Sequence, residues 1–173
     1  ALARGGALGP GRARADDAQA EFPEPLPRSV APFDISELGP EEGWEELPSG
    51  LRSRVLREGA GDAAAGILDP VGSFSPFPFV EVVFAAYDNN GREFASTAEG
   101  RRASTAYQVG IHQWLEDEDG AVMSMLVGER RQFAVPFELV LENVGGGKVF
   151  GARVPDGAEA VLVDVQLLSL RPY

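Results

Sequence analysis

The chain has 173 residues, 44% of them apolar, with 27 acidic against 15 basic side chains and a net charge of −12. That is enough for one domain of about 120 residues with a core, plus an appendage. The acidic surplus excludes tracking a phosphate backbone, so nucleic acid is not an expected partner. No apolar run nears the roughly 20 residues of a membrane span, so the chain is expected to be soluble or peripheral to a membrane complex. The absence of cysteine excludes disulfides, thiolate metal sites and cysteine nucleophiles.

Residues 1–15 hold three arginines (Arg4, Arg12, Arg14) and no acid, whereas residues 16–50 hold ten acids and one base, Arg28. Ala13-Arg14-Ala15 has the small-x-small form of a signal-processing site. Phe22-Pro23-Glu24-Pro25-Leu26-Pro27 reads as an extended stretch unable to join a sheet interior. Residues 1–46 therefore read as an extended acidic, proline-rich arm with too little apolar area to order itself. Its scattered anchors, Phe22, Leu26, Phe33, Ile35, Leu38 and Trp44, suit a segment laid over a partner or over its own domain. Phe22, Phe33, Leu38 and Trp44 are the residues expected to hold a protein partner or multi-subunit complex through residues 1–50. The arm is expected to add little to the domain's own stability.

The compact domain, residues 47–173, begins near Leu47-Pro48-Ser49-Gly50. A first strand runs from Leu51 to Arg57. Phe79 to Tyr87 is a second strand whose even positions, Val80, Val82, Phe84 and Ala86, make one apolar face, while Glu81 lies on the other. Asp88-Asn89-Asn90-Gly91 signals a hairpin, since Asn and Gly both accept φ > 0, and Arg92-Glu93-Phe94 returns as the third strand. Ala106 to Val109 is a short strand. Gly110 then opens a helix on which Ile111, Trp114, Leu115 and Glu118 share one face. Arg131, Phe133 and Val135 alternate as the next strand, Pro136 to Leu141 is a turn or short helix, and Gly145-Gly146-Gly147-Lys148 is a flexible loop. Val161, Val163, Val165 and Leu167 are the inward face of a last strand. The fold class is α+β: an antiparallel sheet of five to six strands wrapped over one short helix, with the N-terminal arm attached.

Other local signals carry no chemistry. Glu116-Asp117-Glu118-Asp119-Gly120 lacks calcium-loop spacing and reads as a solvated helix end. The triple-glycine loop lacks the strand and Ser/Thr of a phosphate loop. His112, the only histidine, has no partner for a metal site. No metal and no cofactor are expected.

The order of these pieces resembles the FKBP-type peptidyl-prolyl isomerase domain. The residues that carry the resemblance are Pro48-Ser49-Gly50-Leu51, Val55-Leu56-Arg57-Glu58-Gly59, Asn90-Gly91-Arg92-Glu93-Phe94, Val127-Gly128-Glu129-Arg130 with Val135-Pro136-Phe137-Glu138-Leu139, and Val161 to Leu168. It covers about residues 47–171. It implies an apolar bowl that grips a proline ring and lowers an amide barrier of about 18–20 kcal/mol by favouring the twisted, less polar amide.

Carried over by position, the resemblance implies a degraded pocket. Phe94 keeps the family's Phe, and Leu115 keeps an aliphatic residue. Phe84 stands for a Tyr, and Ala95 for the Asp which that hydroxyl bonds. Glu118 stands for the pocket-floor Trp, with Trp114 one turn earlier. Leu141 replaces a Tyr that holds the substrate carbonyl, and Val163 replaces a wall Phe. The expectation is a non-catalytic FKBP-like binding or structural subunit, a pseudoenzyme with no catalytic residues, attached through its arm to a larger assembly. The alternative is an active isomerase or folding helper. Many FKBP-like proteins of photosynthetic eukaryotes lie in the chloroplast thylakoid lumen. A lumenal photosystem subunit is the specific expectation, with cytoplasmic and secretory locations as alternatives.

Overall fold

The computed structural model describes residues 22–61, 79–97, 104–108, 122–143 and 147–171. Strands β1 (Glu45–Glu46), β2 (Arg52–Arg57), β3 (Phe79–Asp88), β4 (Glu93–Ser96), β5 (Thr105–Gln108), β6 (Arg130–Pro136) and β9 (Ala160–Arg171) form one seven-stranded sheet. A small hairpin, β7 (Lys148–Val149) with β8 (Ala152–Arg153), stands apart from it. The sheet order is β1-β2-β6-β9-β3-β4, and β5 pairs with the N-terminal half of β3 while β4 pairs with its C-terminal half. Every pairing is antiparallel. The architecture is the expected α+β class, an antiparallel sheet with one short helix. The α-helix among the described residues is α1 (Phe137–Asn143). The helix expected from Gly110 onward lies outside the described residues.

β3 and β9 are the longest strands, and they pair along their whole length at the centre of the sheet. The period of two works as the sequence implies: Val80, Val82, Phe84 and Ala86 of β3 share one buried cluster with Val161, Val163, Val165 and Leu167 of β9. Phe133 and Val135 of β6 join them, with Leu51, Met125, Val140 and Val154 closing the cluster from above. This is the main core. It lies on one face of the sheet.

The hairpin after β3 differs from the expected Asn-Gly turn. Gly91 has φ 82°, while Asn90 stays out of the left-handed region. Gly91 N donates to Asp88 O and Asp88 N donates to Arg92 O, both at 2.9 Å. That is a three-residue loop, a turn followed by a left-handed glycine. Asp88 Oδ1 stabilises it by accepting from Asn90 N (3.0 Å) and Arg92 N (2.9 Å), so an Asx turn replaces the need for a left-handed Asn.

The arm takes the second of the two courses its anchors suit, lying over its own domain. Residues 22–44 lie along the outer face of the chain's own sheet. Trp44, Ala85, Tyr87, Ala134 and Leu162 form a second buried cluster, with Leu26, Val30, Phe33, Ile35 and Leu38 packed against it. Val30 N donates to Gly91 O and Phe33 N to Asn89 O, both at 3.0 Å, and Ser29 bridges to Arg92. Arg52 Nη1 donates to Leu38 O at 2.6 Å and also to Ile35 O. The sheet itself starts at Glu45, two residues before the expected boundary, because β1 pairs with β2. Phe33, Leu38 and Trp44, expected to grip a partner, are thus seated on the chain's own strands. The reason is that the outer face offers Ala85, Ala134 and Leu162, small or aliphatic side chains that leave room for the larger anchors.

Candidate functional site: the inner bowl and the covered outer face

The bowl on the core face is built from β3, β4, β6 and β9. Phe84 is 6% exposed and its ring stacks on Phe150, with centroids 4.1 Å apart and planes inclined by 25°. Phe150 comes from the two-residue turn of the β7–β8 hairpin, where it has φ 47° and Gly151 φ 80°. Two left-handed residues in a two-residue loop fit a type I′ turn. A bulky aromatic in that region is an outlier, held there by its surroundings. Ala95 faces Ala86 across the β3–β4 pair and is 7% exposed. Val163 is fully buried in the same cluster, and Phe94 is half-buried against it. Leu141, at 48% exposed, stands out on the surface of α1. Trp114, Leu115 and Glu118 lie outside the described residues.

The structure therefore brings Phe84, Phe94, Ala95 and Val163 together in one apolar cluster, and Leu141 does not join it. None of these five side chains carries a hydrogen-bonding group. Thr97 beside Phe84 donates its hydroxyl to Phe84 O at 3.3 Å and is turned to the backbone. Phe150 escaped the sequence reading. Its signal was the Phe-Gly pair between two short runs, obscured by the triple glycine just before it.

The outer face holds the charged chemistry. In β9, Asp164 and Gln166 alternate with Val163, Val165 and Leu167, so period two turns them away from the core. Both are fully buried. Asp164 takes a bidentate pair from Arg130, with Nε to Oδ1 at 2.9 Å and Nη2 to Oδ2 at 2.7 Å, and accepts from Gln132 Nε2 at 3.2 Å. Hydrogen bonding from Asp164 holds the Arg130 guanidinium above its ordinary pKa, against the opposing effect of burial. Glu24 of the arm completes the group, pairing with Arg130 and, at 3.1 Å, with Arg57. Tyr87 donates its hydroxyl to Pro27 O. Burial, and then the Asp164 carboxylate, push its phenol above the usual value. The Phe22 ring lies 5.4 Å from the Arg57 guanidinium. Sequence reading missed Asp164 and Gln166 as a unit, although polar residues alternating inside an apolar run were visible.

Beside this group, a cavity of about 390 Å³ is lined by both the arm and the sheet, among others by Val30, Phe33, Leu38, Trp44, Arg54 and Leu162. Arg54 lies over the Trp44 ring at 4.7 Å and donates to Gln132 Oε1 at 2.7 Å. The Trp44 indole nitrogen has no hydrogen-bond partner among the described residues. No helix of the described residues is long and apolar enough to cross a membrane.

The fold, an antiparallel sheet with an apolar cluster on one face and a short helix after β6, is FKBP-like. The chain matches the FKBP-type peptidyl-prolyl cis-trans isomerase family over residues 75–168, more than half of its length, and belongs to that family. No curated protein matches it. Among solved structures, it is similar to a peptidyl-prolyl cis-trans isomerase from Pseudomonas syringae pv. tomato str. DC3000, with 15% identity over 75% of this chain and 82% of that one, and a TM-score of 0.51. AtFKBP13, a plant protein, is 20% identical over 74% of this chain and 98% of its own, with a TM-score of 0.55. FkpA from Escherichia coli is 21% identical over 76% of this chain and 53% of its own, with a TM-score of 0.52. At these identities the neighbours show the fold alone.

Proposed function

We propose that this family member is a non-catalytic binding or structural subunit. The observation that carries the reading is the chemistry of the bowl: Phe84 and Ala95 stand where the family resemblance puts a bonded Tyr and Asp. Losing one partner of such a buried bond costs about 1–3 kcal/mol, whereas replacing both with apolar groups is close to neutral. The domain can therefore keep its core while giving up the polar groups that hold a substrate amide. The Phe84 ring is stacked on Phe150, and Leu141 brings no hydroxyl for the substrate carbonyl.

The test is cis/trans isomerisation of a Xaa-Pro peptide with the full chain, where the rate should equal the uncatalysed one. A rate near that of an ordinary family member would refute the reading and leave the active isomerase, which the retained Phe94 and Leu115 favour. Restoring Phe84→Tyr, Ala95→Asp, Glu118→Trp, Leu141→Tyr and Val163→Phe together should be required before activity appears.

The partner in this reading is a larger protein assembly reached through the N-terminal residues. The acidic charge and the Ala13-Arg14-Ala15 sequence support a thylakoid-lumenal location, with a photosystem as the assembly. Co-migration of the native chain with such a complex tests this, and migration as a free protein would count against it.

A further inference from the structure

Along residues 22–27 burial alternates: Phe22, Glu24 and Leu26 are partly buried, and Pro23, Pro25 and Pro27 are exposed. After a bend at Phe22 and Pro23, whose peptide bond is cis, the segment runs with one side on the sheet and its prolines facing out. Glu24 N donates to Gln166 Oε1 and Gln166 Nε2 donates to Glu24 O, both at 2.7 Å. A side-chain amide here pairs with the peptide group as a neighbouring strand would. Pro23 and Pro25 have no N–H, so Glu24 is the residue among the three that can make this pair. Its carboxylate meets Arg57 and Arg130, and Tyr87 binds the Pro27 carbonyl. Three hydrogen bonds read the backbone, two arginines read a carboxylate, and Phe22 packs on Arg57.

The receiving side is built independently of the segment. Asp164, fully buried, fixes Arg130 through both oxygens, and Gln132 donates to the same carboxylate. Gln166 is fully buried in a strand otherwise suited to apolar residues, and its side-chain amide pairs with Glu24 through both its oxygen and its nitrogen. A segment needed only to cover apolar surface would call for none of this.

We propose that the outer face is a peptide-binding site for extended segments that alternate an aromatic, an acidic and an aliphatic residue and are stiffened by prolines. Residues 22–27 fill it in cis, and an equivalent segment of another chain can fill it in trans. Prolines hold such a ligand extended before it binds, which reduces the entropy lost on docking. Tethering gives the resident segment an effective concentration in the millimolar range, so an outside segment competes when the tether is cut or the resident contacts are weakened. The site lies on the face opposite the bowl and does not depend on whether the bowl is catalytic.

The test uses the full chain with a protease site inserted between the exposed Ala31 and Pro32, folded intact and then cut, so that every residue is retained but the segment is untied. A fluorescent peptide of residues 20–29 should bind the cut chain saturably and expel the N-terminal fragment. The same peptide carrying Glu24→Gln should bind about tenfold more weakly, since it loses a charge-assisted pair to two arginines. The uncut chain should bind either peptide poorly below millimolar concentration. A cut chain that keeps its melting profile but takes up no peptide, or takes up both equally, overturns the proposal. If cutting unfolds the chain, the uncut Glu24→Gln variant replaces it: the wild-type peptide should enter this variant at lower concentration than the unsubstituted chain, and equal uptake overturns the proposal. A dimer formed by exchange of the segment between copies would be the same site filled in trans, and supports it.

Discussion

Replacing Trp44 with Ala tests whether the arm belongs to the cooperative fold. Trp44 is 5% exposed and packs among Ala85, Tyr87, Ala134 and Leu162. Truncating a buried Trp costs about 3–5 kcal/mol when the site cannot collapse. The Arg54 guanidinium over its ring adds roughly 1 kcal/mol that is also lost. Two effects work the other way. The indole N–H has no partner, so its removal relieves an orphaned donor worth about 1–3 kcal/mol. The adjoining cavity lets water into the vacated space, which lowers the penalty for an empty hole. The net expectation is a loss of about 2–3 kcal/mol. For a chain of this size that corresponds to a Tm about 5–10 °C lower, at roughly 2–4 °C per kcal/mol. Circular dichroism melting of the full chain reads it. Trp44→Phe, which keeps most of the ring and drops the orphaned donor, should stay within about 1 kcal/mol of the parent. A Trp44→Ala shift under about 2 °C would refute the argument and return the arm to the role of an independent appendage.

The remaining expectations are briefer. Asp164→Ala leaves Arg130 and Gln132 without their buried acceptor and should cost about 3–5 kcal/mol in urea unfolding, far more than loss of the exposed Arg153–Asp156 pair, for which about 0–1 kcal/mol is the ordinary range. The Tyr87 phenol has its pKa raised above 10.0 in the folded chain; its neutral form is favoured on folding, so that stability is complete below pH 10 and is lost as pH climbs through the raised value. Alkaline melting curves should show this loss, and Tyr87→Phe should abolish that part of the pH dependence. Gly91→Ala would place a Cβ 1.9 Å from Val30 O at a φ of +82°, so it should cost more than the roughly 1–3 kcal/mol of backbone strain alone; a melting point equal to the parent's would show that the arm does not lie against this hairpin.

Alternation in residues 80–86 and 161–167 was enough to place the core face, because a strand turns successive side chains to opposite sides whatever it packs against. The order of five short pieces sufficed for the family, and Gly91 for the position of a hairpin. Its turn type was not legible, since that depended on Asp88 accepting two backbone N–H groups. The degraded bowl was legible in part: Phe84, Phe94, Ala95 and Val163 do meet, but Leu141 points outward, and only packing decides which side of a short helix faces the core. Phe150 entered the bowl from a two-residue turn with no periodicity to announce it.

The arm shows the limit most clearly. Its sequence has few anchors, widely spaced, and on composition alone cannot bury enough area to order itself. What orders it is a surface that exists only after β2, β6, β9 and β3 have paired in that order, bringing Arg57, Arg130, Gln166, Asp164 and Tyr87 from distant parts of the chain to one face. Sequence determines what each strand turns inward, because that is a local property of the backbone. The destination of Phe33, Trp44 and Glu24 was decided by the tertiary structure, because their partners are between about 10 and 140 residues away and become neighbours only when the sheet is complete.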